Sequence, residues 1–280
     1  MPVTPANIAI IIVEALLLLA GVILLGRYLF SRGARATDGP ERCLEPWDVT
    51  VSDFLFFVLV IIAGALISGF IGGLILARFD LAEDTKMIFA SAAFQLGLLI
   101  GPALVPLKLG HHPLNPPLGN GALQSGLVTF LISLPIVTLV NWLWLETLQL
   151  LGLPTEQQDL LRMFTESTHV GLIALIIVLA TVVAPIAEEL LFRATLFRFL
   201  RTRIPRWIAL LLPGTIFAAL HVNWSTYEGL PSLAPLITLA VVFSVAYERT
   251  GRISTAIIAH GLFNLHTIVL LLSGATAITE

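Results

Sequence analysis

Charged residues are scarce in this chain of 280 residues. Asp, Glu, Lys and Arg together make up 12% of it, whereas an ordinary soluble domain has about 25%. Hydrophobic residues make up 57%, and the mean hydropathy is +0.96. This composition excludes a soluble globular enzyme, because the long apolar runs that it implies require lipid as their solvent.

Cysteine and positive charge are also in short supply. The single cysteine, Cys43, excludes an internal disulfide framework and a metal site built from several cysteines. The net charge of -3 and the isoelectric point near 6.1 provide no basic surface, so no nucleic-acid partner is expected. No basic residue precedes the first apolar run, which is longer than a signal-peptide core, so we do not expect a cleavable signal peptide.

Long apolar runs are abundant, and each of about 17 to 25 residues is a candidate membrane span. Period-2 alternation with a polar face is absent, so the spans are predicted to be helices. The sequence therefore predicts an all-α fold, a polytopic transmembrane helical bundle of about eight spans. The eight candidates are Asn7–Phe30, Phe54–Ala77, Met87–Leu107, Gly126–Leu151, Val170–Leu191, Trp207–His221, Pro231–Tyr247 and Ser254–Ser273.

The basic residues predict the orientation of these spans. If the eight spans alternate in direction, one side of the membrane receives twelve of the fifteen basic residues, and the other only Arg78, Lys86 and Arg162. Because positively charged loops remain in the cytoplasm, both termini are expected outside it. We expect two regions: residues 1–125, with about three spans and a solvated cytoplasmic loop at 31–53, and a membrane-embedded region over 126–280.

Two adjacent carboxylates close the fifth span. Glu188 and Glu189 follow an otherwise apolar run, and ionisable groups inside a membrane are functional candidates because they are costly there. Glu189 and Arg193 are four residues apart with the acid first, which favours an ion pair on one helix face. Glu188 is rotated about 100° from Glu189, so it remains free to act as a base on water. The alternative interpretation is that both carboxylates are interfacial charges that only terminate the span.

Two later spans each present two side chains one helical turn apart. Phe217 and His221 share a face of the sixth span, and His260 and Asn264 share a face of the eighth. Glu188 and His221 could deprotonate a water molecule while His260 and Asn264 stabilise the oxyanion. Alternatively, Glu188, His221 and His260 could bind Zn²⁺ and leave a position open for water. The residue set leaves both versions open.

Two further ionisable side chains in the spans are assigned structural roles. For Glu14, in the first span, we expect helix packing or anchoring at the membrane interface. His266 follows His260 by six residues, about 240° around the helix, so it is expected to face elsewhere.

At the polar positions, the sequence resembles the CPBP family of intramembrane proteases, which includes the type II CAAX prenyl-protein endopeptidases and bacteriocin-processing or immunity proteins. The matching motifs are Glu188-Glu189-x-x-x-Arg193, Phe217-x-x-x-His221 and His260-x-x-x-Asn264. The resemblance covers about 172–272, the motif core. The resemblance implies water activation by Glu188 and His221, with His260 and Asn264 as oxyanion donors or further metal ligands. It implies structural support of the site by Glu189, Arg193 and Phe217.

The leading hypothesis is an intramembrane endopeptidase that cleaves a membrane-associated or lipid-modified protein near the cytoplasmic face. Its expected partners are that substrate and the lipid bilayer, and its expected location is a bacterial plasma membrane, as a multi-pass protein. Zn²⁺ and a metal-free glutamate mechanism both remain open as its chemistry. One alternative is a proton-coupled transporter that uses the Glu and His side chains as a relay. Another is a non-catalytic membrane protein that binds a partner or confers immunity.

Overall fold

The computed structural model describes residues 5–31, 44, 47, 49–101, 121–155, 170–227 and 229–273. These residues form eight helices, and no strand occurs among them. The helices are α1 (Pro5–Phe30), α2 (Val51–Leu76), α3 (Glu83–Leu98), α4 (Ala122–Leu150), α5 (Val170–Arg201), α6 (Arg206–Ala219), α7 (Leu233–Thr250) and α8 (Ile253–Leu272). A short 3₁₀ turn, Leu230–Ser232, precedes α7.

The helices confirm the predicted polytopic bundle. In the described part of the chain, six helices are long and apolar enough to cross a membrane, namely α1, α2, α4, α5, α7 and α8. The other two are shorter, with 16 residues in α3 and 14 in α6. At 1.5 Å per residue α6 is about 21 Å long, less than the ~30 Å hydrocarbon core of a bilayer.

Helices α4 to α8 pack around one apolar core. Each of them contributes side chains that are almost completely buried, for example Phe130 of α4, Phe197 of α5, Phe243 of α7 and Ala259 of α8. Small residues allow helix backbones to approach closely where lipid provides no hydrophobic driving force. This core fixes α5, α6 and α8 relative to one another, and these are the helices that bear the three motifs.

Helices α2 and α3 form a hairpin that packs on the side of α5. The ring of Phe54 in α2 stacks on that of Phe199 in α5, with centroids 3.8 Å apart and planes 8° apart. Ile88 of α3 lies in a buried cluster with Ile176 and Leu179 of α5. The first half of the chain therefore contacts the motif-bearing half directly.

The predicted loop at 31–53 is shorter than expected and packed at its end. Helix α2 begins at Val51, and Leu44, Trp47 and Val49 are buried, with Trp47 packed edge-on against Phe57. The end of this segment is therefore buried in the protein, whereas the polar composition predicts a solvated linker. The charged residues of the loop that precede α2 lie outside the described residues. The division of the chain at residue 125 remains a prediction, although it falls inside α4.

Candidate active site

The two glutamates lie between two π-helical segments of α5. Residues Leu179–Val183 and Leu190–Phe197 are π-helical, and the short α-helical stretch Ala184–Glu189 separates them. Pro185 explains part of this irregularity, because proline has no backbone N–H and cannot continue the regular ladder of hydrogen bonds. π-helical turns inside α-helices occur frequently at functional sites.

Glu189 joins α5 to α8 as well as pairing within α5. Its Oε1 atom accepts a hydrogen bond from Nη1 of Arg193 at 2.8 Å, as the i,i+4 spacing predicts. The same oxygen lies 2.8 Å from Nδ1 of His260. Glu189 is fully buried and Arg193 nearly so, and among the described residues Oε2 of Glu189 and Nη2 of Arg193 have no hydrogen-bond partner. Buried polar atoms without a hydrogen-bond partner are rare in folded proteins, and a catalytic role is one explanation for them.

His260 is thereby oriented toward Glu188. A carboxylate only accepts hydrogen bonds, so Nδ1 carries a proton and donates it to Glu189, and in the neutral ring Nε2 has a free lone pair. Nε2 lies 3.7 Å from Oε2 of Glu188, whose side chain is 21% exposed. This distance is too long for a direct hydrogen bond, and a water molecule at normal distance from both atoms can bridge them.

Aromatic rings enclose the charged groups. The guanidinium of Arg193 lies 5.1 Å from the ring centroid of Phe217 and 5.7 Å from that of Phe243. Phe243 also stacks on His260, with centroids 5.5 Å apart. Rings of this kind lower the local polarity and stabilise the cation through their electron-rich faces. Phe217 thus lies against the ion pair, and its supporting role stays a prediction.

His221 lies at the exposed edge of this cluster. It follows the short helix α6, and its Nδ1 donates a hydrogen bond to the carbonyl oxygen of Phe217 at 2.7 Å. Its ring is 4.6 Å from that of Phe217, which in turn is 6.3 Å from the ring of His260. No hydrogen bond or ion pair between His221 and Glu188 occurs in the described part of the chain. The imidazole that approaches Glu188 there is that of His260.

Asn264 contacts the backbone of α5. Its Nδ2 donates a hydrogen bond to the carbonyl oxygen of Ala180 at 2.8 Å. Ala180 lies in the first π-helical segment, eight residues before Glu188. Asn264 therefore joins α8 to the irregular part of the helix that bears the glutamates.

The residues predicted as zinc ligands do not form a ligand set. Within the described ranges, no group of three or more His, Cys, Asp or Glu side chains is arranged to hold a metal ion. The bond from Nδ1 of His260 to Glu189 leaves Nε2 as the ring nitrogen that would bind a metal. The Zn²⁺ version of the site remains a prediction, and we derive no chemical step from it.

Two contributors to the site have no obvious signal in the sequence. Phe243 of α7 belongs to an ordinary apolar run, and its contacts with Arg193 and His260 depend on how α7 packs. The carbonyl of Ala180 is a backbone group, exposed to Asn264 by the local helix geometry. Only the nearby Pro185 could have indicated that a backbone acceptor would be free there.

Comparisons with known proteins support the resemblance stated from the motifs. Residues 170–266 match the model of a family described as type II CAAX prenyl endopeptidase Rce1-like. UPF0177 protein YbdI of Lactococcus lactis is 34% identical over 94 residues, which are 33% of this chain and 46% of the relative. The protein named "Putative membrane peptidase YdiL" of Bacillus subtilis is 29% identical over 98 residues, 35% of this chain and 38% of the relative.

These matches are local. The chain spans less than half of the length of the curated relatives that it matches. No solved structure matches the chain. The comparisons support a multi-pass membrane protein with a protease-like region in its second half.

Proposed function

We propose that this protein is an intramembrane endopeptidase in which Glu188 activates water for attack on a peptide bond. The observation that carries the proposal is the pair formed by Oε2 of Glu188 and Nε2 of His260, 3.7 Å apart. His260 is held by Glu189, and Glu189 by Arg193. A nucleophile, its base and a group that orients the base are the elements expected of a hydrolytic site.

The proposed reaction requires only amino-acid side chains and a water molecule. A water molecule bonded to Glu188 and to Nε2 of His260 loses a proton to Glu188, and its oxygen attacks the carbonyl carbon of the scissile bond. The carbonyl oxygen becomes an oxyanion, and His221 at the open edge of the site can stabilise it through Nε2–H when its ring is protonated. Collapse of the tetrahedral intermediate breaks the C–N bond, and Glu188 returns the proton to the leaving amine.

This assignment exchanges the predicted roles of the two histidines. The motifs pair Glu188 with His221, whereas Nε2 of His260 lies 3.7 Å from Oε2 of Glu188 and His221 bonds to the backbone of Phe217 at the exposed edge. The proposed substrates are membrane-associated or lipid-modified proteins, because the site lies among membrane-spanning helices. The matched family, described as prenyl endopeptidases, favours a peptide with a prenylated cysteine.

The purified protein, reconstituted in lipid vesicles, tests the proposal with a prenylated peptide and its unprenylated counterpart, and mass spectrometry identifies the products. We expect Glu188→Gln to lower the cleavage rate at least about 100-fold, the usual contribution of a general base. The matched control is Glu146→Gln, which changes an exposed glutamate of another apolar helix and should leave the rate within about twofold.

Other outcomes of this assay favour the other hypotheses. If Glu188→Gln cleaves at the wild-type rate, Glu188 is not the base. If the wild-type protein cleaves neither peptide and the cellular phenotype is unchanged by Glu188→Gln, the hypothesis of a non-catalytic binding or immunity role is supported. A rate lost to a tight chelator and restored by Zn²⁺ would favour the metal version. The transporter hypothesis predicts broken helices in both halves, and within the described residues the π-helical segments occur only in α5.

A further inference from the structure

The first π-helical turn of α5 contains a backbone acceptor that its own helix cannot satisfy. The amide of Ala184 donates to the carbonyl of Leu179, five residues earlier, as a π-helix requires. In the same pattern the next amide, at position 185, would donate to the carbonyl of Ala180. Position 185 is a proline, which has no N–H to donate. A carbonyl without a donor is costly inside a membrane, where water cannot replace the lost hydrogen bond.

Helix α8 provides the missing donor. Nδ2 of Asn264 bonds to the carbonyl oxygen of Ala180 at 2.8 Å. One turn earlier in α8, a Cβ atom at Gly261 would lie 2.5 Å from the carbonyl oxygen of Thr181. The absence of a side chain at Gly261 therefore lets α8 approach the π-helical turn closely enough for Asn264 to reach it.

The same two helices are joined a second time at the glutamates. His260, one turn before Asn264 in α8, bonds to Glu189 in α5. Two bonds at different levels fix both the separation and the relative sliding of the two helices. The distance between Glu188 and Nε2 of His260, 3.7 Å, depends on that arrangement.

We propose that Asn264 is a positioning residue, which replaces the missing amide of Pro185 and thereby holds Glu188 in place against His260. It acts through the backbone of α5, and the bond to Ala180 uses one of the two N–H groups of its side-chain amide. This inference rests on the proposed peptidase function for its effect on the rate. Its structural part, the replacement of the amide of residue 185, is independent of that function.

A double-mutant cycle tests the inference, with Asn264→Ala, Pro185→Ala and the double variant compared with wild type. Pro185→Ala restores an N–H that can bond to the carbonyl of Ala180, so the side chain of Asn264 becomes dispensable. We expect Asn264→Ala alone to lower the Tm by several degrees and kcat about tenfold or more, with little change in KM. In the Pro185→Ala background, the same substitution should cause clearly smaller losses of both.

The control lies on the same helix. Thr267 bonds to the carbonyl of Phe263 within α8, so Thr267→Ala should change neither Tm nor kcat appreciably. If Pro185→Ala does not fold, Asn264→Leu replaces it, since an apolar side chain of similar size cannot donate and should cost at least as much as Asn264→Ala. An equal kcat loss in both backgrounds, or a wild-type Tm for Asn264→Ala, would overturn the inference. The Tm is measured without substrate, so an inactive wild type counts against the proposed function only.

Discussion

Gly229 lies directly against the backbone of His221. It has a φ of +79°, which favours glycine, and a Cβ atom at this position would collide with the carbonyl oxygen of His221. The loop after α6 therefore turns back against His221 at a point where no side chain fits. Val222 and Leu230 are buried on either side of this contact.

We expect Gly229→Ala to impair cleavage by displacing His221, with kcat/KM reduced about tenfold or more because small shifts of a catalytic group are costly. The matched control is Gly152→Ala. Gly152 has a φ of +69° and open space where a Cβ atom would lie, so the substitution adds similar backbone strain without the collision. Gly152→Ala should lose about 1 to 2 kcal/mol of stability, Gly229→Ala should lose more because of the collision, and only Gly229→Ala should lose activity. Equal activity of the two variants would contradict a positioning role for Gly229.

Residue spacing predicts the contacts within a helix and not those between helices. The Glu189–Arg193 pair follows from an i,i+4 spacing and is present at 2.8 Å. The bond from His260 to Glu189 joins residues 71 positions apart, so periodicity carries no information about it. The expected pairing of Glu188 with His221 also concerns a contact between helices and stays a prediction, while Nε2 of His260 lies 3.7 Å from Oε2 of Glu188.

Helix α1 is attached to the bundle by polar contacts, although its own surface is largely exposed to lipid. Nε2 of His266 in α8 lies 2.8 Å and 2.9 Å from the two carboxylate oxygens of Glu14. At the other end, Nη1 of Arg249 in α7 donates to the hydroxyl of Tyr28 at 2.6 Å. Glu14 thus has the packing role that the sequence suggests, and its partner is His266, which faces away from the proposed active site.

We expect the Glu14–His266 contact to contribute about 1 kcal/mol to the stability of the folded protein in a membrane-like environment. Glu14→Leu and His266→Leu should each destabilise it, because each leaves one polar group unpaired in an apolar setting. The double variant should be less destabilised than the sum of the two single variants. Reversible denaturation in mixed detergent micelles measures all four proteins. Additive single effects would show that the two side chains do not interact.

At the level of the helices, the length of an apolar run predicts well that a helix is present. It predicts poorly where the backbone of that helix is irregular. Each of the eight predicted spans begins within a few residues of the first residue of an observed helix. The reason is that a helix facing lipid needs a long run of apolar residues, and such a run is visible in the sequence. The π-helical segments of α5 are not predictable beyond a local break at Pro185. Their second segment, Leu190–Phe197, contains no proline or glycine, and it depends on packing that the sequence does not display.

For the whole molecule, one buried carboxylate joins the ends of three helices. Glu248 of α7 is fully buried and accepts a hydrogen bond from Nε of Arg201, at the end of α5, at 2.6 Å. Its other oxygen lies 2.8 Å from Nη2 of Arg206, at the start of α6. This cluster brings the short connection between α5 and α6 to the same side of the bundle as the end of α7. Two of the basic residues that predict the cytoplasmic side, Arg201 and Arg206, therefore also have a structural role.

The predicted orientation can be tested with cysteines, because Cys43 is the only native one. In a Cys43→Ser background, Thr202→Cys marks the loop between α5 and α6, and Thr155→Cys marks the exposed segment after α4. Because twelve of the fifteen basic residues lie on the predicted side of Thr202, that side should face the cytoplasm. In intact bacterial cells, a membrane-impermeant maleimide should label the Thr155→Cys variant and should not label the Thr202→Cys variant. In permeabilised cells, it should label both variants. The reverse pattern in intact cells would invert the topology and place Glu188 toward the outer face.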